Sequence, residues 1–475
     1  MELKQLKSIH FTGIKGVGMT SLALCAQDLG KKVTGSDIKE VFPTDQILKK
    51  RQLKWKTGFS PNHLPRKCDL VIYTGAHGGI TNPEVVAAKQ KNIPVLNYGQ
   101  ALAIFASNKK VLASAGVGGK STTSAMLATI LDSAGLKPSF AVGVGNISNL
   151  HTPARFSKAS PYFVIETDEY VADPQADLTP KFHYLKPHMA ILTNIEHDHP
   201  DVYPSLEKIY QAFKKFLQPI PQAGAIIANL DNLNLQQFIK SLNQPVITYG
   251  FSAQADWHIT KTHTADKKQF FSLKHKDIHW PNIILNAPGN YNVLNATAAM
   301  IVAYKLGVAP AKIQAGIKKF TGTKRRFEYI DTVKGIELYD DYAHHPIQIK
   351  ALLQAAKDWL PGKRIIAIFQ SHTYSRTKVL LNDFARSFHH AHQVVINHIF
   401  SSAREKDNLG VSAQTLTEAI KKHNSQTFCC PTKKDTIKHL LDYTQKGDAI
   451  FTIGAGNNWL WHKDILAALK KRKIR

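Results

Sequence analysis

The sequence predicts an α/β protein built from three units in series, because three features recur along its 475 residues. Short apolar runs rich in β-favouring residues alternate with helical stretches. Glycine-rich turns follow two of these runs, and clusters of polar residues follow several others. At roughly 150 residues per domain, the length favours about three domains. A composition of 43% hydrophobic and 20% charged residues excludes a disordered or low-complexity chain.

The first unit, predicted over residues 1–107, has the pattern of a Rossmann-like half. The strand Ser8–Thr12 leads into a glycine turn, and a helix over Met19–Leu29 follows. The turn contains Gly13, Gly16 and Gly18. Their order, GxxGxG, departs from the GxGxxG of dinucleotide folds, so a plain tight turn and a diphosphate site both stay open. Asp37 ends the second strand, where a ribose contact is expected.

The second unit, predicted over 108–322, contains the strongest motif. The strand Lys110–Ser114 is followed by Gly116-x-x-Gly119-Lys120-Ser121-Thr122 and then by a helix over Ser124–Ser133. Backbone N–H groups of such a turn can surround phosphate oxygens, with the lysine on the β- and γ-phosphates and the serine hydroxyl on Mg²⁺. The full GxxxxGK[ST] pattern requires glycine where Ser114 stands, and the alternative is a lysine that only caps a glycine-rich turn.

Two clusters of acidic and histidine residues follow apolar strands of the same unit. They are Glu166–Glu169 and Asn194–His199. The carboxyl ends of parallel strands share the ligand-binding edge of a sheet, and Mg²⁺ needs only a few protein oxygens. Zinc at His197-x-His199 is an alternative, although no third ligand is evident. Further along, the short alternating runs of Trp257–Ile284 predict antiparallel strands before a helix over Tyr291–Leu306.

The third unit, predicted over 323–475, again alternates strands and helices. Two polar segments, Asp340–Pro346 and Phe369–Thr377, each follow a strand. By their residue types, Arg376 could bind a carboxylate and Asp341 a nucleotide ribose.

The net charge of +26 comes from 61 Lys and Arg against 35 Asp and Glu. This balance suits either nucleic acid or anionic small molecules. The lysines are scattered, and only Lys470–Lys473 forms a concentrated run, a distribution more typical of a solvated surface or of genome-wide bias than of a nucleic-acid footprint. The chain has no apolar run near the ~18 residues of a membrane-spanning helix, and no secretory signal opens it. We therefore expect a cytoplasmic protein without membrane insertion.

Eight segments, in this order, resemble the Mur ligases, the ATP-dependent amide-forming enzymes of peptidoglycan assembly. They are His10–Met19, Gly116–Thr123, Glu166–Glu169, Thr193–Asp201, Asn292–Ala296, Lys324–Glu328, Asp340–Pro346 and Phe369–Thr377. Each motif is modest alone, but the ordered set covers nearly the whole chain. The resemblance implies a Rossmann-like domain for a UDP-linked substrate, a central P-loop ATPase domain, and a Rossmann-like carboxyl-terminal domain that receives an amino acid.

The resemblance also assigns roles to single residues, with ATP and Mg²⁺ as the implied cofactors. The implied catalytic residues are Lys120, Glu166 and His199, and the implied metal ligands are Ser121, Glu166 and His199. ATP binding is implied for Gly116, Gly118, Gly119, Lys120, Ser121, Thr122, Asn292, Asn295, Arg326 and Asp341. Binding of the UDP-linked substrate is implied for Gly13, Gly16, Gly18 and Asp37, and amino-acid binding for His345, His372 and Arg376.

Two segments of the chain resemble different members of the family, and these members differ in the incoming amine. Phe369–Thr377 follows the members that join L-alanine to UDP-N-acetylmuramate, which is our main expectation. Tyr170–Pro187 is more similar to the recycling members that attach a whole tripeptide, which is the alternative. Departures from the family pattern include Val117, Gly118 and Ser121 in the P-loop. A P-loop NTPase that acts on nucleic acid is a distant third reading, supported only by the pI of 9.7.

Overall fold

The computed structural model describes residues 3–199, 201–401, 405 and 407–472. Pro200, inside the Thr193–Asp201 motif, and Lys473, in the carboxyl-terminal basic run, lie outside the described residues. Spatial proximity divides the chain into two compact units. The first comprises Met1–Thr262, Phe270–Leu285 and Asn292–Lys324, and the second comprises His263–Gln269, Asn286–Tyr291 and Arg325–Arg475. The predicted domain boundaries at 107 and 322 stay predictions.

The first unit opens with a five-stranded parallel sheet in the order β3-β2-β1-β4-β5. Its strands are β1 (Ser8–Thr12), β2 (Lys32–Asp37), β3 (Trp55–Thr57), β4 (Leu70–Tyr73) and β5 (Val95–Asn97). Its helices are α1 (Val17–Asp28), α2 (Asp45–Lys50), α3 (Pro83–Gln90) and α4 (Tyr98–Ala106). The central strand β1 is buried along its whole length, as its apolar sequence predicts.

A ten-stranded sheet follows in the order β17-β16-β15-β14-β13-β12-β6-β9-β7-β8. Its strands are β6 (Lys110–Ala115), β7 (Ser139–Ala141), β8 (Ala154–Arg155), β9 (Tyr162–Glu166), β12 (Pro187–Leu192), β13 (Ala225–Asn229), β14 (Val246–Gly250), β15 (Trp257–Ala265), β16 (Lys268–His275) and β17 (Ile278–Leu285). A separate antiparallel hairpin is formed by β10 (Val171–Asp173) and β11 (Asp177–Pro180). The helices of this part are α5 (Lys120–Ser133), α6 (Leu206–Leu217), α7 (Leu233–Ile239), α8 (Asn290–Lys305) and α9 (Pro310–Lys318).

The lengths of the connections in the ten-stranded sheet distinguish its parallel strands from its antiparallel ones. Strand β6 pairs in parallel with β9 and β12, and β13 pairs in parallel with β12 and β14, as their alternation with helices predicts. Only two residues separate β15 from β16, and two separate β16 from β17. Connections this short join antiparallel neighbours, which agrees with the antiparallel strands predicted for Trp257–Ile284.

Helix α5 begins at Lys120, four residues before the predicted start at Ser124. The chain enters the helix from Gly119, whose φ of +85° lies in the left-handed region that favours glycine. The polar run from Lys120 to Thr123 therefore forms the first helical turn and is not a loop. This places the lysine and both hydroxyl residues of the motif at the helix N-terminus.

The second unit contains a six-stranded sheet in the order β18-β19-β23-β20-β21-β22. Its strands are β18 (Glu328–Val333), β19 (Ile336–Asp341), β20 (Arg364–Phe369), β21 (Gln393–Ile396), β22 (Thr427–Cys429) and β23 (Asp448–Ile453). Its helices are α10 (Pro346–Trp359), α11 (Tyr374–Val379), α12 (Leu381–Ala385), α13 (Ala413–Lys421), α14 (Lys433–Tyr443) and α15 (His462–Lys471). All pairs are parallel except the edge hairpin of β18 and β19.

Apolar packing joins the two sheets of the first unit into one core. Phe156 illustrates this continuity, because its ring contacts Phe105 of α4 and Phe163 of β9, with centroid distances of 6.4 and 6.0 Å. Both partners are almost fully buried. Among the described residues, no helix has the length and apolar character needed to span a bilayer.

Candidate functional site

The phosphate-binding motif lies where β6 ends and α5 begins. β6 is paired with β9 on one side and with β12 on the other. Their register sets Ser114 opposite Glu166 and Ala115 opposite Leu192. The polar residues that follow β9 and β12 therefore meet the glycine loop at the same sheet edge, as predicted from the parallel topology.

Neighbouring side chains hold the glycine loop tightly. Asn194 Oδ1 accepts hydrogen bonds from the N–H groups of Val117 and Gly118 at 2.8 and 3.0 Å. Asn194 Nδ2 and the hydroxyl of Thr193 both donate to the carbonyl of Gly118, at 3.0 and 2.6 Å. A Cβ at Gly116, whose φ is +134°, would lie 2.3 Å from Thr193 Oγ1. Only glycine fits there.

Lys120 is held by the carboxylate of Glu169, the last residue of the Glu166–Glu169 cluster. Its Nζ lies 2.8 Å from Glu169 Oε2 and 3.1 Å from Oε1. Burial alone would lower the pKa of Lys120, but Glu169, Asp168 and Glu166 outweigh burial and raise that pKa. The lysine is therefore charged at neutral pH and is paired with Glu169.

Ser121 and Glu166 form an oxygen-rich pair beside the lysine. The hydroxyl of Ser121 donates to Glu166 Oε1 at 2.8 Å, and the N–H of Gly143 donates to Oε2 at 2.6 Å. Carboxylate and hydroxyl oxygens are the ligands that Mg²⁺ prefers, so the chemistry of this pair fits that ion. The described residues include no cluster of three His, Cys, Asp or Glu side chains arranged for a metal. A hard cation sharing phosphate oxygens needs no such cluster.

His199 does not join Ser121 or Glu166 through any hydrogen bond in the part of the chain that the structure describes. Its ring lies against Tyr170, with 4.7 Å between centroids, and its Nε2 is 3.8 Å from Asp198 Oδ2. His197 binds the carbonyl of Tyr203 through Nε2 at 2.9 Å, which occupies that ring nitrogen. The zinc alternative at His197-x-His199 thus gains no support, and the metal role of His199 stays a prediction.

Asn292 and Asn295 of α8 lie beside the phosphate loop. Asn295 Oδ1 accepts from the hydroxyl of Thr123 at 3.1 Å, and a Cβ at Gly119 would lie 2.5 Å from that oxygen. Asn295 Nδ2 donates to Asn292 Oδ1 at 3.2 Å. The structure therefore brings α8 and the start of α5 together, as expected if both asparagines serve one nucleotide site.

The amino-terminal glycine loop is closed by Asp37. The N–H of Gly13 donates to the carbonyl of Ser36 at 2.9 Å, and Asp37 accepts from the N–H groups of Lys15 and Ile38 at 2.7 and 2.8 Å. Burial raises the pKa of Asp37 above its ordinary value, although these hydrogen bonds and His77 oppose that effect. One carboxylate oxygen stabilises the loop and the other accepts from the neighbouring residue Ile38, so a ribose contact through Asp37 stays a prediction.

Gly16 and Gly18 allow close packing at the start of α1. The N–H of Gly16 donates to the carbonyl of Gly13 at 3.3 Å, which tightens the turn. A Cβ at Gly18 would lie 2.9 Å from the ring of Tyr98, the first residue of α4. The glycines therefore serve the turn and its packing, and their role in binding a UDP group stays a prediction.

Sequence analysis missed a buried carboxylate in the same region. Glu84 of α3 accepts hydrogen bonds from Thr12 Oγ1 at 2.9 Å, from His10 Nε2 at 3.2 Å and from His63 Nδ1 at 2.9 Å. The hydroxyl of Ser36 also donates to it. Its side chain is fully buried. Glu84 thus joins the end of β1, from which the glycine loop departs, to the end of β2.

In the second unit, Asp341 and Arg326 interact electrostatically. Asp341 accepts from the N–H groups of Phe327 and Ala343, both at 2.7 Å. Burial raises its pKa, which Arg326 partly offsets. The guanidinium of Arg326 lies 5.0 Å from the centroid of Tyr342. The implied ATP contacts of both residues stay predictions.

The predicted amino-acid residues lie after β19 and β20, at the carboxyl edge of the second unit's sheet. His345 precedes α10 and is largely buried. Burial and the charge of Arg376 lower the pKa of His372 to about 4, so its imidazole is neutral at neutral pH. Arg376 donates from Nη1 to the carbonyl of His372 at 2.8 Å. Glu405 accepts from the N–H of Ser375 at 2.8 Å, which anchors the start of α11.

Comparison with models of protein families identifies the family of this chain. The model described as Mur ligase family, catalytic domain, matches residues 8–110, the Mur ligase middle domain matches 115–303, and the model described as Mur ligase, glutamate ligase domain, matches 325–456. The chain belongs to the Mur ligase family. The sequence-based assignment to these ligases, with its three-domain α/β architecture, is confirmed.

Curated relatives among the Mur ligases match over nearly the full length. A UDP-N-acetylmuramate–L-alanine ligase of Caldanaerobacter subterraneus is 38% identical over 96% of both chains. A ligase of the same name from Desulforamulus reducens is 35% identical over 98% of both.

Solved structures of Mur ligases give the same fold. The UDP-N-acetylmuramate–alanine ligase of Thermotoga maritima superposes with a TM-score of 0.81 at 25% identity, covering 98% of this chain and 100% of that one. The murein peptide ligase of Psychrobacter arcticus superposes with a TM-score of 0.72 at 28% identity, covering 99% and 100%.

Proposed function

We propose that this Mur ligase joins L-alanine to UDP-N-acetylmuramate at the expense of ATP, in the assembly of peptidoglycan precursors. The observation that carries this proposal is the arrangement at the start of α5, where Lys120 and the Ser121–Glu166 pair lie at one sheet edge. Curated relatives that are 34–38% identical to this chain are UDP-N-acetylmuramate–L-alanine ligases, which supports L-alanine as the amine.

The proposed reaction must activate a carboxylate, and the arrangement at the start of α5 suits this activation. A carboxylate has no leaving group, so an amine cannot displace one of its oxygens directly. In the proposed first step, a muramate carboxylate oxygen attacks the γ-phosphorus of ATP, and ADP leaves. In the second, the amine nitrogen attacks the acyl carbon, inorganic phosphate leaves, and the nitrogen loses a proton. Both steps bring anions together, so positive charge is needed.

We assign that positive charge to Lys120, which would contact the β- and γ-phosphates from the first turn of α5. The backbone N–H groups at the helix start add to it. Ser121 and Glu166 would hold Mg²⁺, with His199 as a further candidate ligand, and the ion when bound would offset charge on the transferred phosphate. Asn292, Asn295, Arg326 and Asp341 are the proposed contacts for the rest of ATP.

We assign the glycine loop with Gly13, Gly16 and Gly18 to the UDP-linked substrate. Asp37 fixes this loop through the N–H of Lys15, and Glu84 fixes the end of β1 from which the loop departs, which supports a rigid loop against which a ligand can pack closely. His345, His372 and Arg376 are the proposed amino-acid contacts. A guanidinium suits a carboxylate through two parallel hydrogen bonds, and the neutral His372 would avoid repelling an incoming ammonium group.

A second candidate is the attachment of a preformed tripeptide. The murein peptide ligase of Psychrobacter arcticus is 28% identical to this chain, which supports it, as does the Tyr170–Pro187 segment. Both candidates use small-molecule substrates, and we place either reaction in the cytoplasm, where ATP and UDP-linked sugars are available.

Phosphate release tests the proposal. The purified protein receives UDP-N-acetylmuramate, ATP and Mg²⁺ together with one amine from a panel. We expect release with L-alanine, and weaker release with glycine or serine, since one methylene supplies only about 1–3 kcal/mol of discrimination. Release with L-alanyl-γ-D-glutamyl-meso-diaminopimelate and none with L-alanine would support the second candidate. Release with no amine in the panel would contradict both.

A further inference from the structure

The ion pair between Lys120 and Glu169 occupies the phosphate-binding lysine. Their closest atoms are 2.8 Å apart, and the side chains are only 15% and 5% exposed. Both carboxylate oxygens lie within hydrogen-bond distance of the ammonium group. Among the described residues, Lys120 is the only hydrogen-bond donor to this carboxylate. The pair is therefore a strong bidentate ion pair that is largely shielded from solvent.

A second pair lies next to the first. Lys181 Nζ is 2.7 Å from Asp168 Oδ2, and the charges of Lys181 and Lys120 hold the pKa of Asp168 well below its usual range even though burial opposes this. Two ion pairs thus lie side by side at this edge, and Glu166 adds a third carboxylate that also acts on Lys120. A triphosphate that reaches Lys120 must disturb these ion pairs, because it brings several negative charges close to Glu169.

The main chain of Glu169 is fixed while its carboxylate has one donor. The hydroxyl of Tyr203 donates to the carbonyl of Glu169 at 2.5 Å, and Tyr203 is itself buried. The side chain, in contrast, can turn away from Lys120 without breaking any other hydrogen bond among the described residues. The backbone of Glu169 is thus fixed, and its side chain is released once Lys120 binds another anion. Such a carboxylate is a counter-ion that can be displaced.

We propose that Glu169 is a positioning residue that holds Lys120 in the nucleotide-free enzyme and competes with the nucleotide phosphates for it, so that Glu169 sets the affinity for ATP. The inference rests on the proposed function, because it assumes that Lys120 binds the phosphates of ATP. It adds a role for a residue that the P-loop pattern does not include. The competing possibility is that Glu169 serves as a ligand to the metal ion.

The test measures binding of ADP and of a non-hydrolysable ATP analogue to the full chain, with and without Mg²⁺. In Glu169→Gln the amide keeps the size of the side chain but loses its charge. We expect both nucleotides to bind roughly tenfold more tightly than to the wild type, in both conditions, because a buried charge no longer competes. In turnover assays the KM for ATP falls while kcat does not rise.

Two further variants keep the result interpretable. Glu169→Asp retains the charge but withdraws it by one methylene, so we expect a smaller tightening in the same direction. Glu337→Gln is the matched control, because Glu337 of β19 also pairs with a lysine, with its Oε1 3.2 Å from Lys363 Nζ, but lies outside the phosphate-binding motif. Its nucleotide affinity should equal that of the wild type.

The results of these measurements distinguish a positioning role of Glu169 from a metal-binding role and from a structural role. Weaker binding of Glu169→Gln only when Mg²⁺ is present would make Glu169 a metal ligand and overturn the proposal. Unchanged affinity would overturn it as well, and so would weaker binding in both conditions with a lower melting temperature, which indicates a structural role. Should the wild type bind no nucleotide, the proposed function itself fails, which is a different result from a wild type that binds and a variant that does not tighten.

Discussion

Asn194 holds Gly118 through both atoms of its carboxamide. Its Oδ1 accepts from the N–H of Gly118 at 3.0 Å, while its Nδ2 donates to the carbonyl of the same residue at 3.0 Å. Asn194 follows β12, and Gly118 follows β6, the neighbouring strand. The loop that precedes Lys120 is therefore shaped by a different segment of the chain, 76 residues away.

Asn194→Asp should weaken nucleotide binding. The substitution replaces the donor Nδ2 with an oxygen that faces the carbonyl of Gly118, so one hydrogen bond is lost and two acceptors repel each other. We expect the Kd for ADP to rise about tenfold, since the cost is about 1.4 kcal/mol or more. Calorimetric titration measures it. An unchanged Kd would mean that the carboxamide does not shape the loop.

Lys120→Ala should abolish turnover and leave binding of UDP-N-acetylmuramate largely intact. The lysine belongs to the P-loop, and the UDP site is expected within residues 1–107. We expect phosphate release to fall at least about a hundredfold, because a charge directed at the transferred phosphate is lost. Lys110→Ala, at the exposed start of β6, is the control and should keep the wild-type rate. Most of the activity surviving in Lys120→Ala would refute the P-loop assignment.

Glu166→Gln and His199→Ala each should raise the Mg²⁺ concentration needed for half-maximal rate, if both residues bind the metal. The structure supports Glu166 more directly, because it already contacts Ser121 at 2.8 Å. We therefore expect the larger shift in Glu166→Gln, measured as the rate against Mg²⁺ concentration at fixed ATP. Identical Mg²⁺ dependence in the wild type and both variants would move the metal site elsewhere.

Glu84→Gln should lower thermal stability in a pH-dependent way. Burial raises the pKa of Glu84, but hydrogen bonds from His10, Ser36 and Thr12 outweigh burial and lower it below its ordinary 4.5. A depressed carboxyl pKa stabilises the fold above the unfolded value, and this contribution disappears as the pH falls through the folded value. The variant should therefore be less stable by about 2 kcal/mol at pH 7.

Melting temperatures of both proteins across pH 3.5–7 check this. The gap between wild type and Glu84→Gln should be widest above pH 5 and should narrow as acid protonates Glu84 in the wild type. A difference in melting temperature that stays constant over the whole pH range would show that ionisation of Glu84 does not stabilise the fold.

The parts of the fold that follow from local pattern could be predicted from the sequence. Apolar runs located the strands, and parallel topology placed Glu166 beside Ser121 at the sheet edge, as the 2.8 Å contact shows. The start of α5 was predicted four residues late, because Lys120 and its neighbours look like loop residues until Gly119 is seen to cap the helix.

The remaining site features depend on long-range contacts that carry no local pattern. Glu84 meets Thr12 across 72 residues, and Lys120 meets Glu169 across 49. Neither spacing has a periodicity that sequence inspection can detect. Asp37 shows the converse difficulty: its place at the end of β2 indicates a ribose ligand, yet its carboxylate stabilises the glycine loop in the structure.

One competition experiment tests the central claim most directly. The purified protein is given UDP-N-acetylmuramate, ATP and Mg²⁺ with equal concentrations of L-alanine and L-alanyl-γ-D-glutamyl-meso-diaminopimelate, and the mass of the UDP-linked product is determined. We expect UDP-N-acetylmuramoyl-L-alanine to predominate and its formation to require ATP. Predominance of the UDP-N-acetylmuramoyl-tripeptide would contradict this expectation.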